Sequence, residues 1–201
     1  MRLNKTTVVG WQWLALLMMC LGLLMAGPAS ADQGPGLRLS PMRALQQAHW
    51  VAEGSTHPRH VIYTFVDANC PYCHKLWLAL QSYQREGLQV RNVLVGVISA
   101  SSPGKAAAIF SARSPAAAWR ENEKRWGSRS DGGGGTAPLT RISSQDRTAI
   151  MDNETLMREF GITGTPGLVY ADVYGKVHVI VGVPGKAKLR RIVRTAAVAS
   201  E

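Results

Sequence analysis

Two apolar runs with a helix-like segment between them form the clearest pattern in this sequence. Residues 61–66 and 88–98 are rich in β-branched and other apolar residues, which is typical of buried strands. Between them, apolar residues recur at helical spacing and predict a helix over residues 71–86. A strand, a helix and a strand of these lengths make a βαβ unit, so we expect the two strands to be parallel.

The pattern predicts further elements on both sides of this unit. Residues 40–54 begin with Ser-Pro, a typical helix start, and the apolar spacing after it predicts a short helix that ends near Gly54. Residues 167–171 and 176–181 are short β-rich runs joined by a turn, which predicts a hairpin. A basic helix is expected from about Lys186 to the end of the chain.

The segment between these two sets of strands is rich in Ala, Trp, Arg and Glu, a helical composition. It predicts helices over residues 103–113, 115–126 and, with a break, 145–160, and a flexible loop over 131–135. The order β-α-β, helical segment, β-β-α is that of an α/β thioredoxin-like fold with an inserted helical subdomain. The predicted parts are residues 32–60 (leader and short linker helix), 61–98 and 161–201 (the two parts of the core) and 99–160 (the helical insertion).

The N-terminus has the pattern of an export signal. Arg2 and Lys5 precede an uncharged apolar run over residues 11–26, and the small residues 29–31 supply a signal-peptidase site. We therefore predict a signal peptide over residues 1–31 that is cleaved on export. The alternative is a retained anchor, which the short apolar run disfavours because a membrane span needs about 20 apolar residues.

Cleavage would leave two cysteines, Cys70 and Cys73, in a chain exported to an oxidising compartment. A disulfide between them would close only a very small loop, which removes little entropy from the unfolded chain. The pair is therefore better explained as a reactive pair than as a structural crosslink.

The position of these cysteines favours reactivity. Cys70 stands where the first strand ends and a helix begins, so the N–H groups and dipole of that helix stabilise its thiolate. Cys73 lies one turn inside the helix, close enough to attack a mixed disulfide at Cys70. We predict that Cys70 is the nucleophile and the only solvent-reachable thiol, and that Cys73 is the resolving thiol. Pro71 and Tyr72 are expected to shape the helix start and tune the redox potential.

Two other interpretations of this motif compete with the redox one. Cys-x-x-Cys followed by His74 also matches c-type haem attachment, although the strand leading into the motif and Pro71 between the cysteines argue against it. A metal half-site needs further soft ligands, and the remaining histidines stand in no ligand spacing. We therefore favour thiol–disulfide chemistry, with no metal and no cofactor besides the redox-active pair Cys70 and Cys73.

The net charge of +10 raises the question of an anionic partner. The basic residues are scattered along the chain, except for a group on the predicted last helix, and no nucleic-acid-binding motif accompanies them. We therefore expect no nucleic-acid partner.

Thr165 and Pro166 come just before the predicted hairpin. Thioredoxin-like proteins place a cis-proline at this point, facing the cysteine pair. A cis bond exposes the backbone of the preceding residue, so Thr165 can pair with a substrate peptide. The alternative is an ordinary trans proline at the start of a strand.

Four stretches of the sequence carry a resemblance to a known family. They are residues 61–73 with the cysteine motif, 48–51, 94–98 leading into Ser102-Pro103, and 152–154 with Leu156-Met157. These stretches resemble the DsbC/DsbG family, and the resemblance covers about residues 42–195.

The resemblance implies a function in the periplasm. Members of this family are thiol–disulfide isomerases, reductases and chaperones, so Cys70 and Cys73 would be the redox pair and Thr165-Pro166 the cis-proline loop. The implied substrates are exported proteins with disulfides or oxidised cysteines, and the implied partner is a membrane thiol reductant of the DsbD type. A chaperone that holds unfolded chains in the cleft between core and insertion is the second hypothesis.

Two features depart from the family. Its members carry an N-terminal dimerisation domain, for which the residues between the cleavage site and the first strand leave no room, so we expect a monomer. Six residues before Cys70, thioredoxin and the oxidase DsbA carry a buried acid that assists proton transfer. This chain has Thr64 there, and a hydroxyl cannot do the same acid–base work near neutral pH.

Overall fold

The structure, a computed structural model, describes residues 40–198 of the 201-residue chain. The predicted signal peptide over residues 1–31, the leader residues 32–39 and residues 199–201 lie outside the described part. Within residues 40–198, no helix combines the length and the apolar character needed to cross a membrane.

A five-stranded mixed sheet forms the centre of the described chain. Its strands are β1 (Trp50–Gly54), β2 (His60–Asp67), β3 (Leu88–Val95), β4 (Gly167–Ala171) and β5 (Val177–Val181). The strand order is β1-β3-β2-β4-β5, with β2 and β3 parallel and the other neighbours antiparallel. The predicted parallel βαβ unit and the predicted hairpin are both confirmed.

Helices cover both faces of this sheet and form the insertion. Those of the described residues are α1 (Pro41–Gln47), α2 (Pro71–Arg85), α3 (Ser102–Phe110), α4 (Pro115–Lys124), α5 (Ser144–Glu159) and α6 (Lys186–Thr195). The helices α1 to α4 each have a proline in the first turn, where the backbone N–H has no intrahelical partner. The helix α2 connects β2 to β3, and α3, α4 and α5 form the predicted insertion.

The central strand β2 directs alternate side chains to two different cores. Tyr63 and Phe65 lie in a cluster with residues of α1 and α5. Ile62 lies in a second cluster with residues of α2 and α6. A third cluster joins the start of α2 to the insertion, and its buried members include Cys70, Cys73, Trp77, Ile109 and Trp119. The cysteine motif therefore lies where the core meets the insertion.

The expectation of a helix that continues to Gly54 is wrong. The helix α1 ends at Gln47, and residues 50–54 form β1, antiparallel to β3. The backbone of β3 has a free edge on this side, and β1 satisfies its hydrogen bonds. Burial along β1 alternates with a period of two, with Val51 and Glu53 buried. The spacing of apolar residues within residues 40–54 contains no information about β3, so it cannot predict that residues 50–54 pair with that strand.

A predicted strand end and a predicted helix break are also wrong. Strand β3 ends at Val95 rather than residue 98, because the N–H groups of Val97 and Ile98 turn to the Asp67 carboxylate, at 2.7 and 3.0 Å. The helix expected to be broken within residues 145–160 is the continuous α5. Its Asn153 donates to the His49 and Leu94 carbonyl groups and so is used for packing rather than for a turn.

The glycine-rich loop over residues 131–135 is packed against helices α3 and α4 of the insertion, contrary to the expected flexible loop. The buried ammonium of Lys105 donates to the carbonyl groups of Gly132 and Gly134, both at 2.9 Å. A Cβ on Gly134 would come within 2.0 Å of the Asn122 amide nitrogen. The glycines therefore allow close packing, which a count of glycines in the sequence does not distinguish from flexibility.

Candidate active site

The two cysteines stand at the start of α2, as the sequence predicts. Cys70 is the N-cap residue, and its Sγ accepts a hydrogen bond from the backbone N–H of Cys73 at 3.3 Å. Pro71 lies in the first turn and presets the helical backbone there. Both cysteines are free thiols, so the structure shows the dithiol form.

Solvent access to the thiols differs from the prediction. Cys70 and Cys73 are each only 1% exposed, so the expectation that Cys70 alone is reachable is wrong for this dithiol form. The reason is tertiary, because the Cys70 thiol donates to the Thr165 carbonyl at 3.3 Å and both cysteines pack against the insertion. Tyr72, between them, is 57% exposed, and the Lys75 ammonium lies 4.8 Å from its ring centroid.

The loop before β4 brings the second predicted group to the cysteines. The Thr165–Pro166 peptide bond is cis, as expected. The Pro166 carbonyl accepts from the Gly182 N–H at 2.7 Å, which holds the loop against the end of β5. The Thr165 hydroxyl is buried and, within residues 40–198, has no hydrogen-bond partner in the dithiol form. This hydroxyl lies next to Cys70 and is not engaged elsewhere among these residues, so it can donate a hydrogen bond to the Cys70 thiolate.

The two thiols differ in acidity. A hydrogen bond from the Cys73 thiol is the main reason that the pKa of Cys70 is lowered to about 6 against the opposing effect of burial. The Thr165 hydroxyl and backbone N–H groups at the helix start lower it further. Burial, followed by the neighbouring Cys70, raises the pKa of Cys73 well above its usual range. Near neutral pH, Cys70 is therefore a thiolate while Cys73 keeps its proton.

The Asp67 carboxylate anchors the segment that leads to the cysteines. It is fully buried and accepts from the Asn69 N–H and the Ser102 hydroxyl, both at 2.8 Å. Its second oxygen accepts the N–H groups after β3. The carboxylate therefore ties the end of β2 to the start of the insertion. The signal in the sequence is a single acid at the end of an apolar run, which by itself does not reveal this role.

A second acid, which the sequence pattern does not reveal, lies close to the thiols. Glu123 on α4 has a side chain with no exposed surface, and its Oε2 lies 2.8 Å from His74 Nδ1. Its other oxygen accepts from the Asn122 amide at 3.1 Å. Burial, with the charges of Glu53 and Cys70, raises the pKa of Glu123 to about 8. Its position four residues after the buried Trp119 places both on one face of α4.

Glu53 on β1 is the third buried acid of this region. Its Oε2 accepts from the Trp77 indole at 3.1 Å and from the Asn92 amide at 3.4 Å, and the Arg120 guanidinium lies 3.6 Å from Oε1. Burial raises the pKa of Glu53. The sequence analysis predicts a helix at this position and so gives no reason to expect a buried Glu53. The side chain is buried because residues 50–54 form a strand, in which alternate side chains point to the core.

His74, the residue that suggested haem attachment, is held on three sides. Its ring stacks on Trp126 at 4.7 Å and on Trp77 at 6.0 Å between centroids, and its Nδ1 contacts Glu123. Among residues 40–198, no group of three or more His, Cys, Asp or Glu side chains is arranged to hold a metal ion. The arrangement therefore places the His74 ring in hydrogen-bond contact with the buried Glu123 carboxyl group.

Comparison with known proteins identifies the family. The sequence profile of the thioredoxin-like domain family matches residues 45–197. This chain belongs to that family. The match runs from α1 to just after α6 and so includes both cysteines, the helical insertion and the Thr165 loop.

Named relatives within this similarity are thiol:disulfide interchange proteins. DsbG of Escherichia coli is 32% identical over 152 residues, and DsbG of Pseudomonas aeruginosa is 30% identical over 150 residues. Each alignment covers 74% of this chain but only 58% and 56% of the relative, respectively. A solved structure of a periplasmic thioredoxin-like protein from Salmonella enterica serovar Typhimurium matches with a TM-score of 0.57 at 20% identity, over 79% of this chain and 96% of that one. The structural match shows that the fold is shared.

Proposed function

We propose that this protein is a thiol–disulfide oxidoreductase that acts on exported proteins, with Cys70 as the nucleophile and Cys73 as the resolving thiol. The observation that carries the proposal is the placement of two thiols at one helix N-terminus, where Cys70 is the N-cap and its Sγ accepts the Cys73 N–H at 3.3 Å. This geometry lowers the pKa of Cys70, whereas burial raises the pKa of Cys73. A thiolate available near neutral pH beside a protonated partner is what stepwise disulfide exchange needs. The similarity to proteins named for thiol:disulfide interchange supports the same chemistry.

In the reductive direction, the Cys70 thiolate attacks one sulfur of a substrate disulfide. The substrate S–S bond breaks, its second sulfur leaves as a thiolate, and a mixed disulfide joins the substrate to Cys70. Cys73 then gives up its proton and attacks the Cys70 sulfur, which releases the first substrate sulfur as a second thiolate. The protein becomes the Cys70–Cys73 disulfide, and the substrate has gained two electrons. The same steps in reverse oxidise a substrate dithiol.

The loop of Thr165 and Pro166 is proposed to hold the substrate peptide. Its backbone contacts Cys70 directly, so a peptide that pairs with Thr165 would present its sulfur to the nucleophile. Val97 and Ile98 follow β3 and are 45% and 48% exposed. The parallel strands β2 and β3 end at the same edge of the sheet, so Val97 and Ile98, which follow β3, lie at the same edge as Cys70, which follows β2. Exposed apolar side chains at this edge suit the binding of a polypeptide substrate.

We infer that the protein works in the periplasm, which the predicted signal peptide and the named relatives support. Its proposed substrates are exported proteins that carry a disulfide or a sulfenic acid. With a sulfenic acid, the Cys70 thiolate forms the same mixed disulfide, and the hydroxyl group leaves as water after taking up a proton. A membrane thiol reductant of the DsbD type would supply two electrons to restore the dithiol. No cofactor besides the cysteine pair enters this scheme.

A trapping experiment tests the assigned roles. The Cys73→Ala variant should accumulate a mixed disulfide with a disulfide-containing peptide, because the resolving thiol is gone. The Cys70→Ala variant should accumulate none, and a control variant at the exposed Tyr174, Tyr174→Phe, should turn over the peptide like the parent protein. Non-reducing mass spectrometry measures the adduct. An adduct on Cys73 in the Cys70→Ala variant, at the parent rate, would reverse the two roles.

A chaperone function is the second candidate, and the exposed Tyr72, Val97 and Ile98 beside the cysteines favour it. The variant with alanine at both cysteines separates the two functions. An oxidoreductase loses all peptide reduction, whereas a chaperone still suppresses aggregation of an unfolded client, measured by light scattering. If the double variant suppresses aggregation and the parent protein does not reduce the peptide, the chaperone replaces the oxidoreductase as the proposed function.

We also propose that the protein is a monomer. The helix α6 carries a row of basic residues, and two copies that met through this face would repel each other. Multi-angle light scattering at moderate salt is the test, and a stable dimer would contradict the proposal. The basic residues of α6 are Lys186, Lys188, Arg190, Arg191 and Arg194.

A further inference from the structure

The pair of Glu123 and His74 has no role in the exchange scheme above, although the charge of Cys70 acts on Glu123 and His74 directly follows Cys73. The Glu123 side chain has no exposed surface, the His74 side chain is 19% exposed, and 2.8 Å separates Oε2 from Nδ1. A buried acid is thus connected to the protein surface by a single imidazole. An imidazole can accept a proton on one ring nitrogen and release one from the other.

The surrounding residues hold this pair against the cysteine segment. Asn122 donates both to Glu123 and, at 3.2 Å, to the carbonyl of Ala68, two residues before Cys70. His74 directly follows Cys73, and its ring stacks on two indoles. Trp119, on the same face of α4 as Glu123, packs in the cluster that contains both cysteines. The pair therefore keeps a fixed position relative to the thiols.

The exchange scheme requires a proton acceptor, and strand β2, which leads to the cysteines, does not supply one. Cys73 is 1% exposed and must lose its proton when it attacks the mixed disulfide. The nearby Thr64 hydroxyl donates to Asn92 and is not a base near neutral pH. Both oxygens of Asp67 already accept hydrogen bonds from four donors.

We propose that Glu123 and His74 form a proton relay for the cysteine pair, in which Glu123 receives the proton that Cys73 loses and His74 passes it to solvent. The proposal rests on the function proposed above. In the reverse direction, the relay returns a proton to Cys73 when reduction of the disulfide expels it as a thiolate. The acid that serves the thiols thus comes from the helical insertion and not from the strand before the motif.

The charges around Glu123 change in step with the reaction. The groups that face it are Cys70, Glu53 on β1 and His74 on α2, and Arg120 lies near Glu53. A Cys70 thiolate raises the pKa of Glu123, so the acid keeps its proton in the dithiol form. In the mixed disulfide that negative charge is absent, so the pKa of Glu123 falls at the step in which Cys73 must lose a proton.

Glu53 is the competing acid. A small cavity of about 10 Å³, which is close to the space that one water needs, borders Cys73, Thr64 and Asn92, and Asn92 donates to Glu53. However, the neighbour that links Glu53 to the surface is Arg120, which stays protonated and cannot pass a proton on. The pair of Glu123 and His74 instead ends in a partly exposed imidazole. Burial lowers the pKa of His74 from its ordinary value, and a neutral imidazole can accept a proton on one ring nitrogen and release one from the other.

The test isolates the step in which Cys73 acts. A mixed disulfide between Cys70 and a fluorescent peptide is formed by stopped flow, and the release of the peptide is followed from pH 5 to 9. Glu123→Gln should slow release at pH 8 by at least about tenfold, because the parent carboxyl group has lost its proton there and can act as the base. The rate of the variant should rise about tenfold per pH unit, because hydroxide replaces the base. The bimolecular attack of Cys70 on the peptide should keep its parent rate. Glu121→Gln, an exposed acid on the same helix, is the matched control and should behave like the parent.

Two further variants keep the outcome decisive. His74→Phe preserves the stacking but cannot carry a proton, so it should reproduce the altered pH profile even if Glu123→Gln does not fold. The relay is overturned if a folded Glu123→Gln or His74→Phe variant releases the peptide with the same pH profile as the parent protein. It is also overturned if Glu53→Gln is the single variant whose pH profile changes. If the parent protein forms no mixed disulfide at all, the proposed function has failed rather than the relay.

Discussion

At the scale of single residues, the chemistry depends on a difference in acidity between two cysteines, which are the same residue type in different surroundings. Cys70 caps a helix and receives hydrogen bonds, whereas Cys73 lies one turn further in, where burial opposes its ionisation. Thr165 comes from a segment 95 residues away; its carbonyl accepts from the Cys70 thiol, and its hydroxyl is placed to donate to the Cys70 thiolate. Small changes in these few hydrogen bonds should therefore shift the thiolate population directly.

The Thr165→Val variant tests this at the residue scale. It removes the hydroxyl and keeps the branched shape, so the Cys70 thiolate loses a donor and its pKa should rise from about 6. A hydrogen bond to a charged group is worth about 1.5–3 kcal/mol, so the expected rise is about one to two pH units. Thiolate absorbance at 240 nm against pH measures it. Thr195→Val, on α6, is the control, and an equal shift in both variants would contradict the assigned contact.

At the scale of elements, the insertion contributes to the active site as well as adding to the core. The helix α4 supplies Glu123, and α3 supplies Ser102, which donates to Asp67 at the end of β2. Lys105 on α3 holds the glycine-rich loop by two carbonyl groups. The N–H of Gly134 in that loop donates to the Ala68 carbonyl at 3.0 Å, close to Cys70. The loop thus connects the insertion to the cysteine segment.

Lys105→Met should loosen this connection. The side chain is of similar length, but it leaves two carbonyl groups of the loop without their donor, at a cost of about 1–3 kcal/mol in the free energy of unfolding. Hydrogen exchange should also increase across residues 127–135, because Gly127, Gly134 and Gly135 donate backbone hydrogen bonds there. Urea unfolding and exchange mass spectrometry are the measurements. Lys124→Met, exposed on α4, is the control, and a loss of the same size there would show that the buried contacts do not matter.

At the scale of the whole molecule, the acidity of Cys70 links stability to redox state. A folded pKa of about 6, below the ordinary value of 9.0, stabilises the folded dithiol fully above the ordinary value. This contribution disappears as the pH falls through about 6. The disulfide form has no Cys70 thiol and so lacks this term. A low thiol pKa therefore favours the reduced protein at higher pH.

We expect the stability of the reduced protein, relative to the oxidised protein, to increase between pH 6 and pH 8. The increase should be about 1–3 kcal/mol, since each pKa unit corresponds to about 1.4 kcal/mol. Urea unfolding of both redox forms at each pH measures it. Glu123, whose raised pKa has the opposite pH dependence, is present in both forms, so the larger part of its contribution, which burial causes, cancels. The smaller part, which the Cys70 thiolate causes, exists only in the reduced form and reduces the increase. Reduced Cys70→Ser should lack the Cys70 contribution, and a redox difference that shrinks as the pH rises would contradict the prediction.

The sequence by itself determined the elements whose signals are local. Apolar runs and helical spacing predicted β2, α2, the late hairpin and the last helix, because burial on one face or two imposes a short-range period. The position of Cys70 at a strand-to-helix junction predicted its thiolate character, because a helix N-terminus stabilises an anion wherever it occurs. Thr165-Pro166 was predicted from its place before the hairpin.

The tertiary structure decided everything that depends on a distant partner. Residues 50–54 form a strand because β3 offers a free edge, and the glycine-rich loop packs because Lys105 reaches its carbonyl groups. The burial of Cys70 and the meeting of Glu123 with His74 depend on the insertion folding back onto the core. Residues 49 positions apart in the chain leave no periodic signal of their contact, so a hydrogen bond between them becomes visible only when the chain is folded.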